Sequence, residues 1–231
     1  MKRVFGLLLV AGLGTSAQAT IVGPDAFGYT GSDEDGVRWE DISGTGTALG
    51  GGDDGYYRII PSDFTFNYYG NSYSEFSAGT NGVLYFVDVY LGLGNTEIPG
   101  TNGYGVDRFM APLWDDLVVD GMILYEVRGS GAQERMIVQW DGVRNFGGSG
   151  SDQFQTVIYA DGNIWFNYND VDDINPNASY TVGIQEDPAL GLQWSYNAAV
   201  LANGTSIHWV VPAPGSLALL GLGGLAFRRR R

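Results

Sequence analysis

The sequence has 231 residues, of which 44% are hydrophobic and 13% aromatic, so it is long and apolar enough to fold into one large β domain or two small ones. Its 26 acidic residues outnumber its 12 Lys and Arg, and the resulting net charge of −14 argues against nucleic-acid binding because it repels phosphate backbones. The absence of cysteine excludes disulfides, Cys-ligated zinc, iron–sulfur clusters and thiol catalysis.

Residues 1–19 have the pattern of a secretory signal peptide. Lys2 and Arg3 precede an apolar run over residues 4–14, which is too short to span a membrane comfortably. The small residues Ala17 and Ala19 then predict cleavage after Ala19. We therefore expect an exported mature chain that begins at Thr20.

Residues 20–55 are rich in Gly, Asp, Ser and Thr. This composition predicts an irregular, acidic N-terminal arm and not a separate domain. One strand is expected within the arm, over residues 37–42.

Residues 56–210 contain short aromatic and β-branched runs separated by Gly, Asn and Asp, without sustained helical periodicity. Asp161-Gly162 lies between two such runs and predicts a two-residue hairpin turn with one apolar and one mixed face. Asn81-Gly82 and Asp120-Gly121 predict further turns, and other strands are expected over 64–69, 135–140, 180–185, 192–196 and 206–210. About ten short strands with regular turns indicate an all-β fold, an antiparallel β-sandwich over residues 56–210.

Residues 211–231 combine a Pro-rich turn, an apolar stretch over 216–227 and a final cluster of four arginines. The apolar residues counted from Val210 approach the ~18 needed for a spanning helix. The arginines would stay cytoplasmic, so the rest of the chain would face outward. Glycines within the stretch weaken the helix, which favours a temporary anchor over a permanent one.

This tail resembles a PEP-CTERM sorting signal. Pro212-Ala213-Pro214 corresponds to the family's Pro-Glu-Pro, with Ala213 in place of the acidic residue, and the cationic end is Arg228, Arg229, Arg230 and Arg231. The resemblance implies a short transmembrane helix that anchors the protein transiently in the inner membrane of a Gram-negative bacterium. It also implies removal of the tail by a membrane-embedded exosortase and release to the cell surface or extracellular matrix. A plain tail anchor is the alternative.

Removal of both ends would make the protein more acidic. The mature part would keep six arginines, no lysine and all 26 acidic residues, which gives 6 − 26 = −20. Such a surface is soluble, repels anionic envelopes and attracts divalent cations.

The order of short motifs over residues 64–197 resembles nidogen-like extracellular domains. A Phe-Tyr-Gly-x-x-Tyr start, an Asn-Gly turn, an Ala-Pro-x-Trp-x-Asp segment, a Phe-Gln strand with an Asp-Gly turn and a Gly-Ile-Gln strand follow one another. The resemblance implies an adhesion or matrix module without catalytic residues. The matching residues are Phe66, Tyr69, Gly70, Tyr73, Asn81, Gly82, Ala111, Pro112, Trp114, Asp116, Phe154, Gln155, Asp161, Gly162, Gly183, Ile184 and Gln185.

Three acidic loops offer hard oxygen ligands of the kind that Ca²⁺ prefers. None of them matches an EF-hand loop, and solvated acidic turns explain the same residues without a metal. The candidate calcium ligands are Asp33, Asp35, Asp53, Asp54, Asp170, Asp172 and Asp173.

Residues with catalytic potential are few. His208 is the only histidine, and its place on a terminal strand favours a structural role. Asp115 and Asp116 would point to opposite faces of a strand, which leaves Asp116 with Asp141 or Glu126 as the carboxylate pair of a glycoside hydrolase. Aromatic side chains on outer faces would offer stacking surfaces for sugars, namely Trp39, Tyr56, Tyr57, Tyr68, Tyr69, Trp165 and Trp194.

These patterns together predict a non-enzymatic surface or matrix protein that associates with extracellular polysaccharide and requires no cofactor, with calcium as the one candidate ion. Two alternatives remain. One is a secreted carbohydrate-active hydrolase that uses paired carboxylates, and the other is a structural surface protein whose acidic loops are bridged by calcium.

Overall fold

The computed structural model describes residues 19–33 and 36–211. In this part of the chain the secondary structure is almost entirely β, which confirms the predicted fold class, although the sixteen strands exceed the expected number. The strands are β1 (Ile21–Val22), β2 (Thr30–Ser32), β3 (Thr47–Asp53), β4 (Tyr56–Ile59), β5 (Phe66–Tyr68), β6 (Asn71–Tyr73), β7 (Phe76–Gly79), β8 (Val83–Tyr85), β9 (Phe109–Trp114), β10 (Leu117–Arg128), β11 (Arg135–Asn145), β12 (Asp152–Tyr159), β13 (Ile164–Asp170), β14 (Thr181–Asp187), β15 (Leu190–Tyr196) and β16 (Thr205–Val210). Two single-turn 3₁₀ helices lie at Gly131–Gln133 and Asn175–Asn177.

The strands form two large antiparallel sheets and one small hairpin. The larger sheet has the order β1-β2-β16-β13-β12-β11-β10-β3, and the smaller one has the order β15-β14-β9-β8-β7-β4. The hairpin consists of β5 and β6. The chain crosses between the large sheets after β3, β9, β13 and β15, so the loops at these crossings bring distant parts of the sequence together.

Aromatic side chains fill the space between the sheets and connect them by hydrogen bonds. Trp140 of β11 donates its indole N–H to the carbonyl of Gly79 in β7 at 2.8 Å. Tyr168 of β13 donates its hydroxyl to the carbonyl of Pro112 in β9 at 2.7 Å. Both side chains are fully or almost fully buried, and these bonds remove the penalty of burying their polar ends.

The hairpin predicted at Asp161-Gly162 joins β12 to β13, with a loop that differs from the expected one. The amide of Tyr159 donates to the carbonyl of Asn163 at 2.9 Å, so the loop contains three residues. Of these only Gly162 has positive φ, at 100°. The turn expected at Asn81-Gly82 lies between β7 and β8, and Gly82 has a φ of 73°.

The turn predicted at Asp120-Gly121 is wrong, because β10 runs through both residues. The register of β10 against β11 shifts between Val119 and Met122, which marks a β-bulge. A Cβ on Gly121 would lie 2.3 Å from the carbonyl oxygen of Asp141, so the glycine permits a close approach of two backbones. The Asp-Gly pair therefore bends a long strand and does not end it.

The strand predicted over residues 37–42 is also absent, because this segment lies across the outer face of the larger sheet. Four polar residues occupy one row on that face, since their register pairs them across β11, β12, β13 and β16: Gln139, Gln155, Asn167 and Ser206. The backbone of the segment bonds to these side chains instead of to a strand edge. The outer face of the β12–β13 hairpin is consequently buried as well, and Gln155 and Asn167 are completely inaccessible.

A second irregular segment, within residues 95–107, covers the outer face of the smaller sheet in a similar way. The amide of Gly100 donates to Oε1 of Gln185 at 2.9 Å, and Nε2 of Gln185 donates back to the carbonyl of Gly100 at 3.0 Å. Ile98 donates its amide to Oε1 of Gln193 at 2.9 Å. The sandwich thus carries a backbone layer, held by side-chain amides, on each outer face.

Several predicted features lie outside the described residues. They are the signal segment with Ala17, the loop residue Asp35, and the sorting motif with Pro212, Ala213, Pro214, Arg228, Arg229, Arg230 and Arg231. Within the described residues, no helix has the length and apolar character required to cross a membrane.

Candidate functional site

Acidic side chains from two separate crossings between the sheets meet at one end of the sandwich. Asp53 ends β3 and Asp54 lies in the crossing from β3 to β4, while Asp116 lies in the crossing from β9 to β10. Asp53 pairs with Val118 in the register of β3 against β10, which places the two crossings side by side. One carboxylate oxygen from each of the three aspartates lies within 4.8 Å of the others.

Asn81, in the turn between β7 and β8, connects these loops. Its Nδ2 donates to Oδ1 of Asp54 at 3.1 Å and to the hydroxyl oxygen of Tyr90 at 2.8 Å, and its Oδ1 accepts the amide of Leu117 at 2.9 Å. Tyr90 donates its hydroxyl to the same carboxylate of Asp54. Because Asn81 is only 1% exposed, it acts as a fixed link between three loops.

No described residue donates a hydrogen bond to the carboxylate of Asp116, whereas the carboxylates of Asp54 and Asp115 each accept hydrogen bonds from neighbouring side chains. Partial burial raises its pKa, and the negative charges of Asp54, Asp53 and Asp115 raise it further. The site therefore presents an uncompensated negative charge next to two more carboxylates. A divalent cation with oxygen ligands would relieve this repulsion.

A cavity of about 390 Å³ opens beside Asp116. Asp115 lies at its wall, is only 7% exposed, and accepts hydrogen bonds from Nδ2 of Asn145 at 3.0 Å and the hydroxyl of Ser179 at 2.5 Å. Phe146 also lines the cavity, is 62% exposed, and donates its amide to the carbonyl of Asp116 at 2.8 Å. The cavity thus combines an exposed aromatic ring with a free carboxylate and amide groups.

The remaining candidate calcium ligands do not form a group of this kind. Within residues 19–33 and 36–211, one group of three has ligand atoms that all lie within 4.8 Å of one another. This group consists of Asp53, Asp54 and Asp116. Asp33 accepts the amide of Thr20, and Asp170 accepts the amide of Asp172 and the side chain of Asn203. Asp173 accepts the amide of Ser151. These carboxylates hold turns together.

The carboxylate pairs considered for a hydrolase are not supported by the geometry. Leu117 and Glu126 are nine positions apart on β10, which separates Asp116 from Glu126 by roughly 30 Å at the rise of an extended strand. Glu126 instead forms an ion pair with Arg128 at 3.0 Å. Asp141 pairs with Met122 in the register of β10 against β11, which places it roughly 15–20 Å along the strands from Asp116, and it accepts hydrogen bonds from Gln153 and Ser43.

The aromatic residues expected on outer faces divide into buried and partly exposed groups. Tyr68, Tyr69 and Trp165 are at most 7% exposed, so the expectation that they offer free stacking surfaces is wrong. Trp165 stacks on His208 with ring centroids 3.9 Å apart and carries the Arg38 guanidinium 4.9 Å from its ring centroid. The partly exposed residues are Trp39, Tyr56, Tyr57 and Trp194.

Two residues of this end were missed by the sequence reasoning. Asp116 was considered as a nidogen-like motif residue and as a catalytic carboxylate but not as a cation ligand, because its proximity to Asp53 and Asp54 depends on the sheet register. Phe146 follows β11 in a Gly-rich loop, and its exposure of 62% depends on how that loop lies on the folded sandwich. The Asn-Phe-Gly-Gly sequence at residues 145–148 was the one available signal, because it places a large apolar residue in a turn.

The protein is thus an antiparallel β-sandwich whose loops form an acidic surface at one end. The family model described as NIDO related matches residues 28–218, which is more than half of the chain. The protein therefore belongs to the nidogen-related family. Neither the curated proteins nor the solved structures gave a match.

Proposed function

We propose that this protein is a non-enzymatic module of the bacterial surface or extracellular matrix that associates with extracellular polysaccharide. Its nidogen-related fold and the signal peptide predicted over residues 1–19 support this proposal. The tail at 211–231 supports sorting by an exosortase after transient anchoring in the inner membrane, followed by release from the cell or display on its surface. A net charge of −20 after processing keeps such a module soluble.

The cavity beside Phe146 is the observation that carries the proposed binding. The exposed ring is suited to stacking against the apolar face of a sugar, and the free carboxylate of Asp116 is suited to accepting sugar hydroxyl groups. A volume of about 390 Å³ lies in the usual range of small-ligand sites. The strongly negative surface favours a neutral sugar as the bound unit, because it repels anionic ones.

Binding of the mature protein to purified exopolysaccharide from its native bacterium tests this proposal. We expect F146A to weaken binding at least tenfold, since it removes the stacking surface. Ile60→Ala is a matched control, because Ile60 is also 62% exposed and is not among the residues that line the cavity. Equal binding by the wild type and F146A would contradict the site, and release of shorter glycans during incubation would favour the hydrolase alternative.

Mass spectrometry of the protein isolated from its native envelope tests the processing separately. Export and sorting predict an N-terminus at Thr20 and a C-terminus close to Pro212-Ala213-Pro214. An intact chain of 231 residues in the cytosol would contradict both predictions.

A calcium-bridged structural role is the second candidate, and the group formed by Asp53, Asp54 and Asp116 favours it. Three carboxylates at the ends of two crossings would link the sheets through a common cation. In this role the ion stabilises the loop end and need not contact a sugar. Two variants distinguish these candidates. F146A should weaken sugar binding, whereas D53N should abolish the response to calcium.

A further inference from the structure

The first residue of the expected mature chain is held by a single aspartate. The backbone nitrogen of Thr20 donates to Oδ1 of Asp33 at 2.7 Å, and the amide of Asp33 donates to the carbonyl of Thr20 at 3.4 Å. In the adjoining ladder, Ile21 pairs with Ser32 and Val22 with Gly31, so the contact extends the β1–β2 pairing by one position. Asp33 therefore lies directly opposite the predicted cleavage point.

We propose that Asp33 is the binding site for the α-ammonium group that signal cleavage creates on Thr20. The inference rests on the export part of the proposed function. Water hydrolyses the Ala19–Thr20 peptide bond, whose carbonyl carbon takes the hydroxyl group while the nitrogen of Thr20 takes the hydrogen. The resulting amine binds one more proton from solvent and becomes a cation at the position of the former amide.

Cleavage gives this contact a charged donor in place of the neutral amide of the uncleaved chain. Before cleavage the nitrogen of Thr20 is a neutral amide, and after cleavage it is an ammonium that faces a carboxylate. Charge-assisted hydrogen bonds are stronger than neutral ones, so processing strengthens the attachment of β1 to β2. Both residues are exposed to solvent, which limits the gain to that of a surface ion pair.

The contact between Thr20 and Asp33 also indicates the order of signal cleavage and of β1–β2 pairing. A peptidase must hold the residues around Ala19 extended in its own active site, whereas the folded protein engages both the nitrogen and the carbonyl of Thr20 with Asp33. Cleavage therefore precedes the pairing of this end, and the ion pair forms as β1 joins the larger sheet. The new terminus becomes part of the fold instead of a free end.

The composition of the chain allows the amine of Thr20 to be labelled selectively. Lys2 is the only lysine, so after cleavage the α-amine of Thr20 is the sole primary amine of the protein. An amine-reactive ester consequently labels one site, and its rate at a fixed pH reports how much of that amine is unprotonated. A nearby carboxylate raises the pKa of an ammonium group and slows labelling.

The experiment compares mature wild-type protein, D33N and D63N, each purified from the native envelope, at pH 7.5. Among the described residues Asp63 accepts a hydrogen bond from its neighbour Ser62 alone, so D63N removes one negative charge without touching the terminus. We expect D33N to be labelled about threefold faster than the wild type and D63N to match the wild type. Circular dichroism confirms that each variant is folded.

Equal labelling of folded wild type and D33N would overturn the ion pair while leaving export intact. The N-terminal mass is measured on the same samples. A terminus other than Thr20 would overturn the predicted cleavage, and with it this inference, while binding to polysaccharide still tests the remainder of the proposed function.

Discussion

Gln155 exchanges two hydrogen bonds with the backbone of Glu40, a residue 115 positions away. Its Oε1 accepts the amide of Glu40 at 3.1 Å, and its Nε2 donates to the carbonyl of Glu40 at 3.2 Å. Ile42 and Arg38 are held beside it by Gln139, Asn167 and Ser206. A side-chain amide offers one donor and one acceptor side, as a strand edge does, so the segment is fixed on the sheet without becoming a strand.

Replacing Gln155 with Ala is expected to lower the free energy of unfolding by about 2–4 kcal/mol, because it removes both side-chain partners of the part-buried Glu40 backbone and one of the two acceptors of the buried Asn167 Nδ2. Urea unfolding measures the change. Gln153→Ala is the matched control on the same strand, since Gln153 is partly exposed and its partners remain accessible to water. A loss no larger in Q155A than in Q153A would show that the amide row contributes little.

Gly162→Val is expected to destabilise the β12–β13 hairpin by more than about 1 kcal/mol, because a β-branched residue resists positive φ. Its Cβ would also lie 3.0 Å from the carbonyl oxygen of Asn67. Thermal melting measures the effect. Gly44→Ala is the control, since no atom lies within 4 Å of the added Cβ, and a melting curve of G162V identical to that of wild type would refute the argument.

Asp152 is expected to make the protein less stable as the pH rises. Burial raises the pKa of its carboxyl from 3.8 to about 6 in the folded state. Between these values the folded protein binds more protons than the unfolded chain, so this group's contribution to stability is present below pH 4 and is lost as the pH rises to about 6.

Urea unfolding at pH 4 and at pH 6.5 measures this contribution, which amounts to about 3 kcal/mol at most. Asp152→Asn keeps an acceptor for the amide of Ile174 but does not titrate, so the variant should lack this loss. Asp161→Asn, in an exposed loop, controls for the removal of one charge. The same pH dependence in D152N and wild type would assign the effect to other carboxyls.

Calcium is expected to raise the melting temperature of the mature protein, and EDTA is expected to reverse the change. D53N should abolish the shift, because it removes one of three adjacent carboxylates. D172N is the control from another acidic loop, where the carboxylate is exposed and belongs to no such group. A shift that survives in D53N and disappears in D172N would move the calcium site to the loop after β13.

Features that depend on neighbouring residues were accessible from the sequence. The turns at Asn81-Gly82 and at Gly162 follow from local backbone chemistry, and the alternation of apolar residues identified the strands that they join. The match to the nidogen-related family agrees with the order of motifs between Phe66 and Gln185. These signals are local because a turn or a strand is specified within a few residues.

Only the tertiary structure decided which distant groups meet. Residues 37–42 resemble a strand in isolation, but the buried amides of Gln139 and Gln155 bind their backbone from the face of the sheet. Asp120-Gly121 resembles a turn, but the close approach of Asp141 makes it a bulge. Asp116 joins Asp53 and Asp54 only because the chain crosses between the sheets twice at the same end. Such contacts depend on register and on crossing geometry, which no short stretch of sequence encodes.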